Sequence, residues 1–153
     1  MKDYDPRIPS DLKTLAVFLD SEFDGPFGFR FGWDALIGLI PGIGAILPMI
    51  VSIYIVVRAM ILRVSFFTIT HMLVNVLIDT VLSLIPVVGQ IADFFWKSNL
   101  KNLELMDRYF TAPHETTRAS ALFLFFVIAG FLSGFVFLIW VGVKIAALIL
   151  HLF

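Results

Sequence analysis

The chain has 153 residues, of which 59% are hydrophobic and 15% charged, and its mean hydropathy is +0.96. This excess of apolar residues is typical of an integral membrane protein rather than of a water-soluble domain. A formal net charge of −1 gives no basic surface for nucleic acid, and the absence of cysteine excludes disulfides and thiolate metal sites.

The first predicted element is an amphipathic helix at residues 10–23, within a cytoplasmic N-terminal segment that comprises residues 1–32. Ser10 follows a proline as an N-cap, and apolar side chains then recur at helical spacing opposite Lys13, Asp20 and Glu22. The helix either lies flat on the cytoplasmic leaflet or packs its apolar face against the rest of the protein. A loop rich in glycine and aromatic residues follows, up to residue 32.

One motif occurs twice, at residues 34–46 (DALIGLIPGIGAI) and 79–91 (DTVLSLIPVVGQI). Each copy interrupts an apolar run with proline and glycine, which predicts a duplicated helix break. The break is either a half-helix terminus that favours an anion or carboxylate, or a turn where an interfacial helix enters the membrane. The residues that define it are Asp34, Pro41, Gly42, Gly44, Pro86 and Gly89.

Three apolar stretches, at residues 45–62, 66–85 and 119–143, are long enough to cross a bilayer. Three residues join the first two stretches, which predicts an antiparallel hairpin. Basic residues are more frequent in the flanks of the hairpin than at its tip. The positive-inside rule therefore places the N-terminus and residues 90–118 in the cytoplasm, opposite the tip. We expect the C-terminal stretch to be a single tilted helix.

A polar stripe of His71, Asn75 and Asp79 runs along one face of the second stretch, because the three residues are four apart. Such side chains are costly in hydrocarbon and usually face protein or water. One interpretation is a proton or cation path, in which His71 titrates near neutral pH. The other is a set of interhelical hydrogen bonds that holds helices together.

A second amphipathic helix is predicted at residues 92–110. Its polar residues Asp93, Lys97, Asn99 and Asn102 suggest either a site for a lipid phosphate or a solvated face on which Asp93 and Lys97 form an i,i+4 ion pair. This helix, like the first, lies on the membrane surface or packs against the hairpin.

Four segments, FLDSEF, FRFGWDALIGLIPGIG, THMLVNVLID and SLIPVVGQIADFFWKSNLKNLELM, together resemble the bacterial membrane domain of unknown function DUF4112. The resemblance covers about residues 12–110, and its repeated IPxxG blocks and the run Lys97, Asn99, Asn102 occur in the family's order. It implies a membrane protein but no activity. In the family pattern an Asp usually follows the last Gly of each block, whereas this chain has Ala45 and Gln90 there.

The predicted fold is therefore all-α, with three transmembrane helices, two interfacial amphipathic helices and a duplicated Pro/Gly helix break. It divides into the N-terminal segment, the membrane hairpin with its amphipathic helix (33–110), a linker (111–118) and a C-terminal transmembrane helix (119–153). No catalytic, metal or cofactor site is predicted, since His71, His114 and His151 are too scattered to form a metal site.

We interpret the chain as a non-catalytic accessory or scaffold subunit of the bacterial inner membrane. It would be a multi-pass protein with a cytoplasmic N-terminus that packs against a larger membrane complex or against copies of itself. The alternative is a small oligomeric proton or ion channel, or a transporter, that uses the stripe of His71, Asn75 and Asp79. Both hypotheses expect lipid and other membrane subunits, or a homo-oligomer, as partners, and neither involves nucleic acid.

Overall fold

The computed structural model describes residues 3–25, 30–37, 40, 46–85 and 96–152, with side chains up to residue 148. The helices are α1 (Ser10–Ser21), α2 (Trp33–Ile37), α3 (Ile46–Ile61), α4 (Phe66–Ser83), α5 (Ser98–Thr111) and α6 (Pro113–Leu152). Strands β1 (Phe23–Asp24) and β2 (Arg30–Phe31) pair antiparallel between α1 and α2, where the sequence predicted the last residue of a helix and a loop. Six residues with predicted roles lie outside the described ranges: Pro41, Gly42, Gly44, Pro86, Gly89 and Asp93.

Helices α1, α3, α4 and α5 form a bundle around one apolar core. Residues three or four apart in each helix face inward, as expected for helices that bury one side. Each of the four helices contributes apolar side chains with no exposed surface: Leu12, Ala16, Ile55, Ala59, Met72, Leu103 and Met106. The apolar faces of both predicted amphipathic helices are therefore buried in protein, which is the packing alternative rather than the isolated surface helix.

The predicted second amphipathic helix, at residues 92–110, is interrupted at Trp96 and Lys97. Lys97 has a non-helical backbone (φ −94°, ψ 83°), and α5 begins only at Ser98. α5 runs antiparallel to α1, because Asp20 near the end of α1 contacts the first turn of α5, whereas the Asp5 amide before α1 donates to Asp107 near the end of α5. The two helices therefore lie side by side along their lengths.

The structure corrects the predicted membrane topology at the tip of the α3–α4 hairpin. The Tyr109 hydroxyl donates to the Arg63 carbonyl oxygen at 3.4 Å, and the Thr117 hydroxyl donates to Ser65 Oγ at 2.9 Å. Because the hydrocarbon core of a bilayer is about 30 Å thick, the tip and residues 109–117 lie on the same side of any membrane. The predicted placement of the tip opposite residues 90–118 is therefore wrong.

Two of the described helices, α4 and α6, are long and apolar enough to span a membrane. α3 has 16 residues and is a shorter apolar helix, so three spans are not found among the described residues. α6 is a single helix of 40 residues that starts at Pro113, so that most of the expected linker (111–118) forms its first turns. Proline suits this first helical position because its missing N–H would have no intrahelical partner there.

An apolar surface covers the outward sides of α3, α4 and α6. Exposed fractions reach 68% at Ile61, 76% at Phe66 and 77% at Phe131. Contiguous exposed apolar surface of this kind is a contact area for lipid or for other proteins. The bundle and α6 thus present apolar surface that the described chain itself does not cover.

Gly32 connects β2 to α2 at a point where the chain passes directly over α1. A Cβ atom added there would lie 1.5 Å from the Leu19 carbonyl oxygen, which belongs to rigid helix backbone. Gly32→Ala should therefore push the β-hairpin away from α1 and lower the free energy of unfolding by about 1–3 kcal/mol. Denaturant unfolding in mild detergent, followed by circular dichroism, measures this change.

Gly142→Ala is the matched control, because no other part of the described chain lies within 4 Å of a Cβ at Gly142. This control should unfold at the denaturant concentration of the wild type or slightly above it, because alanine favours the helix more than glycine does. Equal stability of the two alanine variants would contradict the close approach of Gly32 to α1.

Candidate functional site

A buried polar cluster lies around the first turns of α5. It is made of Ser98, Asn99 and Asn102 from α5, Asp20 from α1 and Asn75 from α4. All five residues are at most 2% exposed. Asn75 and Asn102 connect α4 to α5: the Asn75 amide donates to Asn102 Oδ1 at 2.9 Å, and the Asn102 amide donates to the Met72 carbonyl oxygen at 3.2 Å. Two asparagines of different helices thus bond each other inside an otherwise apolar core, where unpaired amides would be costly.

Asp20 connects α1 to α5 in the same cluster. Its two carboxylate oxygens accept hydrogen bonds from the Asn99 amide at 2.7 Å and from the Leu100 backbone N–H at 2.8 Å. The second bond satisfies one of the free N–H groups at the start of α5, where Lys97 provides no side-chain cap. A carboxylate from a neighbouring helix therefore takes the role of an N-cap and complements the positive end of the helix dipole.

Burial dominates the electrostatics of this carboxyl group. It raises the pKa of Asp20 from 3.8 to about 6, although the hydrogen bonds from Asn99 and Leu100 and the nearby charge of Lys97 act in the opposite direction. Nearby, Ser98 Oγ and Asn99 Oδ1 are buried and have no hydrogen-bond partner among the described residues. The cluster therefore has a polar interior in which the ionised form of Asp20 is disfavoured.

Lys97 has a structural role in this geometry. Its ammonium group donates to Ser21 Oγ at 3.0 Å and to the Arg30 carbonyl oxygen at 2.7 Å. It thereby connects the end of α1 and strand β2 to the start of α5. Burial lowers the pKa of Lys97, whereas the charge of Asp20 raises it. These bonds use two of the three N–H groups of the ammonium, which leaves one for the predicted lipid phosphate, and the predicted partner Asp93 lies outside the described residues.

The predicted polar stripe is buried at Asn75 and Asp79 and partly buried at His71. His71 Nδ1 lies 3.3 Å from Ser120 Oγ, and the ring of His71 stacks on Phe123 with centroids 3.8 Å apart. Asn75 belongs to the buried cluster, and Asp79 is 9% exposed. The stripe therefore joins α4 to α5 and α6, an arrangement that fits interhelical bonding. Asp34, from the first copy of the repeated motif, is 7% exposed and accepts from the Ala35 N–H.

A cavity of about 270 Å³ opens beside the stripe, between α4, α5 and α6. Lys101 projects into it and holds its ammonium nitrogen 3.0 Å from the centre of the Trp96 ring. Burial lowers the pKa of Lys101, and the charges of Asp79 and Asp20 raise it. The lining includes both charged and aromatic side chains: His71, Asn75, Trp96, Lys101, Glu104, Leu105, Arg108 and Phe123.

Sequence reasoning missed Asp20 and Lys101 as site residues. Helical periodicity assigned Asp20 to the polar face of α1, yet it is 1% exposed because α5 covers the end of α1. The one available signal was its position four residues after Ala16, in line with the apolar face. No group of three or more His, Cys, Asp or Glu side chains that could hold a metal ion occurs among the described residues.

These features define a mostly helical protein with two helices that can span a membrane. The chain belongs to the family described as Domain of unknown function (DUF4112), whose model matches residues 9–110. The match includes α1, both strands, α3 and α4, and ends one residue before α5 does, so that α6 lies outside it. Comparisons with curated proteins and with solved structures gave no match.

Proposed function

We propose that this protein is a non-catalytic accessory or scaffold subunit of the bacterial inner membrane. In this proposal α6 crosses the bilayer and packs against a larger membrane protein complex or against a second copy of the chain. The bundle stays on the cytoplasmic side with the N-terminus, and the apolar faces of α3 and α4 contact the membrane. No catalytic step is assigned to it.

The observation that carries the proposal is the length of α6 without a partner. Beyond Phe123, which packs against His71, the 29 helical residues up to Leu152 extend over about 44 Å, roughly one and a half times the ~30 Å of the hydrocarbon core. Beyond Phe123 the helix is almost entirely exposed, with 77% at Phe131 and 68% at Leu138. Lipid can cover only part of an apolar helix this long. The remainder requires tilting or a protein partner.

Gly130 and Gly134 mark where such a partner would approach most closely. They are four residues apart and lie on one side of α6, and no other part of the described chain comes within 4 Å of a Cβ built at either position. Small residues at this spacing allow the backbones of two membrane helices to come into contact. The two glycines therefore provide a way to test the proposal without changing the bundle.

The test is the mass and composition of the particle that a mild detergent releases from native membranes. For the wild type we expect a complex larger than one chain, with either a different protein at fixed stoichiometry or a defined homo-oligomer. The double variant Gly130→Ile/Gly134→Ile should release the chain as a monomer, because the two side chains prevent close helix contact. Gly142→Ile, on the same helix, should leave the complex intact. A monomeric wild type would contradict the proposal.

The proton or ion path along His71, Asn75 and Asp79 stays a prediction. The cavity is lined by His71 and Asn75 but not by Asp79, and Asn75 is held by Asn102. A proton flux in liposomes that His71→Ala abolishes, with the particle mass unchanged, would replace the accessory proposal by the channel or transporter.

A further inference from the structure

We propose that the cavity between α4, α5 and α6 binds the phosphate group of an anionic membrane lipid. The inference rests on the membrane insertion of α6 proposed above, and it adds a ligand and its binding residues. The volume of the cavity, about 270 Å³, is close to nine times the ~30 Å³ that one water molecule occupies in the liquid. The space is therefore large enough for a phosphate group and the adjoining part of a headgroup.

Two cations of α5 give the cavity its preference for an anion. Lys101 and Arg108 are seven residues apart and lie two turns from each other on the same face of the helix. No hydrogen bond or salt bridge connects the Lys101 ammonium group to another described residue, and its one aromatic contact is with the Trp96 ring. Lys101 thus retains three N–H donors for a ligand.

Arg108 is the second donor and is only weakly engaged. Its guanidinium group lies 3.9 Å from a Glu104 carboxylate oxygen, and the two side chains are 70% and 39% exposed. An exposed i,i+4 pair of this kind contributes little to stability, so Arg108 can turn toward a phosphate at low cost. Among these three side chains of the cavity lining, the two cations Lys101 and Arg108 outnumber the one carboxylate of Glu104, which leaves one net positive charge.

The position of the cavity along α6 selects a lipid as the source of the phosphate. Arg118 is the last charged residue before the apolar part of α6, and no other follows until Lys144. Phe123, in the cavity wall, lies five residues further, about 7.5 Å along the helix axis. This distance corresponds to the headgroup layer, which is roughly 5–8 Å thick on each side of the hydrocarbon core.

An apolar surface for the acyl chains continues from the cavity wall. Val127 and Gly130 follow Phe123 on the same face of α6, and Phe126 beside them is 68% exposed. Trp96 on the opposite wall is of the residue type that lies at the boundary between headgroups and hydrocarbon. The cavity therefore combines cations at headgroup depth with an apolar surface leading into the bilayer.

Trp96 provides a local reporter for the test, since Lys101 lies against its ring. In the full chain, Trp33→Phe and Trp140→Phe leave Trp96 as the single tryptophan. The probes are phosphatidylglycerol and phosphatidylcholine with brominated acyl chains, titrated into detergent micelles, and the readout is quenching of Trp96 fluorescence. We expect half-maximal quenching at a roughly tenfold lower concentration of phosphatidylglycerol, because charge-assisted hydrogen bonds favour the anionic lipid.

Three variants of this single-tryptophan chain test the assignment of residues. Lys101→Gln/Arg108→Gln should lose the preference for phosphatidylglycerol, whereas the charge-conserving exchange Lys101→Arg/Arg108→Lys should keep most of it. The control Arg63→Gln/Arg118→Gln removes the same charge from exposed positions outside the cavity and should keep the preference. Circular dichroism checks that each variant folds.

Several results would overturn the lipid site. They are equal quenching by both lipids, loss of the preference in the control variant, and an effect of inorganic phosphate alone on Trp96 fluorescence as strong as that of phosphatidylglycerol at the same concentration. Extraction of membranes at alkaline pH separates this failure from that of the proposed function. Wild-type chain that stays in the membrane pellet but shows no lipid preference would refute the site alone.

Discussion

Asn102→Leu should destabilise the bundle by about 2–4 kcal/mol, because it removes the acceptor of a buried amide. The Asn75 amide donates to Asn102 Oδ1 and is 2% exposed, so no water replaces the lost partner. An unsatisfied buried donor costs about 1–3 kcal/mol, and the lost bond from Asn102 to the Met72 carbonyl oxygen adds about 1 kcal/mol. Leucine, like asparagine, has four side-chain heavy atoms branched at Cγ, so the substitution leaves no cavity. Denaturant unfolding in mild detergent measures it.

The double variant Asn75→Leu/Asn102→Leu is the control for this prediction. With both amides replaced by apolar groups, no unpaired side-chain donor remains. The loss of stability in the double variant should therefore be smaller than the sum of the losses in the two single variants. Strictly additive losses would show that the two asparagines do not act as a pair. The same cycle tests the structural interpretation of the polar stripe, because Asn75 is its central residue.

The stability of the protein should fall as pH rises from about 4 to about 6, by an amount that depends on Asp20. Burial raises the pKa of this carboxyl group from 3.8 to about 6 in the folded protein. The unfolded chain therefore loses its proton first as the pH rises, which favours unfolding. The stability that Asp20 contributes is fully present below pH 3.8 and is lost as the pH rises through the folded-state pKa of about 6. The difference between these two pKa values corresponds to about 3 kcal/mol.

Asp20→Asn isolates this effect from all other titrations. The amide oxygen can still accept a hydrogen bond from the Leu100 N–H, but the side chain no longer ionises. The difference in unfolding free energy between wild type and variant should therefore change with pH only between about 4 and 6. A constant difference across this window would show that Asp20 ionises normally in the folded state.

Asp5→Asn serves as a control of opposite sign. Hydrogen bonds from Arg7 lower the pKa of Asp5 to about 2, so this group contributes stability above its ordinary pKa and loses it as the pH falls. Replacing Asp5 should leave the decline between pH 4 and 6 unchanged. If the decline were lost in Asp5→Asn, the pH dependence of stability would belong to Asp5 and not to Asp20.

The polar stripe shows how far the sequence could lead toward the site. Spacing of four placed His71, Asn75 and Asp79 on one helix face, and the cost of polar groups in hydrocarbon indicated that this face meets protein or water. In the structure Asn75 and Asp79 are buried, and His71 lies against Ser120 and Phe123 beside the cavity. The partners could not be predicted, because Asn102 and Ser120 are 27 and 49 residues away from the side chains that they contact.

The amphipathic helices show a different limit. Periodicity identified α1 and most of α5, since an apolar residue every three or four positions reports one buried face. It did not reveal that the two helices pack antiparallel, nor that Asp20 is buried by the start of α5. Asp20 and Asn99 are 79 residues apart, and the periodicity of a single helix carries no information about which other element will cover its end.

The sequence by itself predicted the mostly helical class, helices long and apolar enough to span a membrane, the long apolar C-terminal helix and the family, since all of these depend on composition, local periodicity and local motifs. Only the tertiary structure decided the burial of Asp20, the pairing of Asn75 with Asn102 and the location of the hairpin tip beside residues 109–117. The reason is that α5 has an apolar face that must be buried, and it does so along α4 rather than on the membrane surface. That packing brings distant residues together and creates the cavity at Lys101.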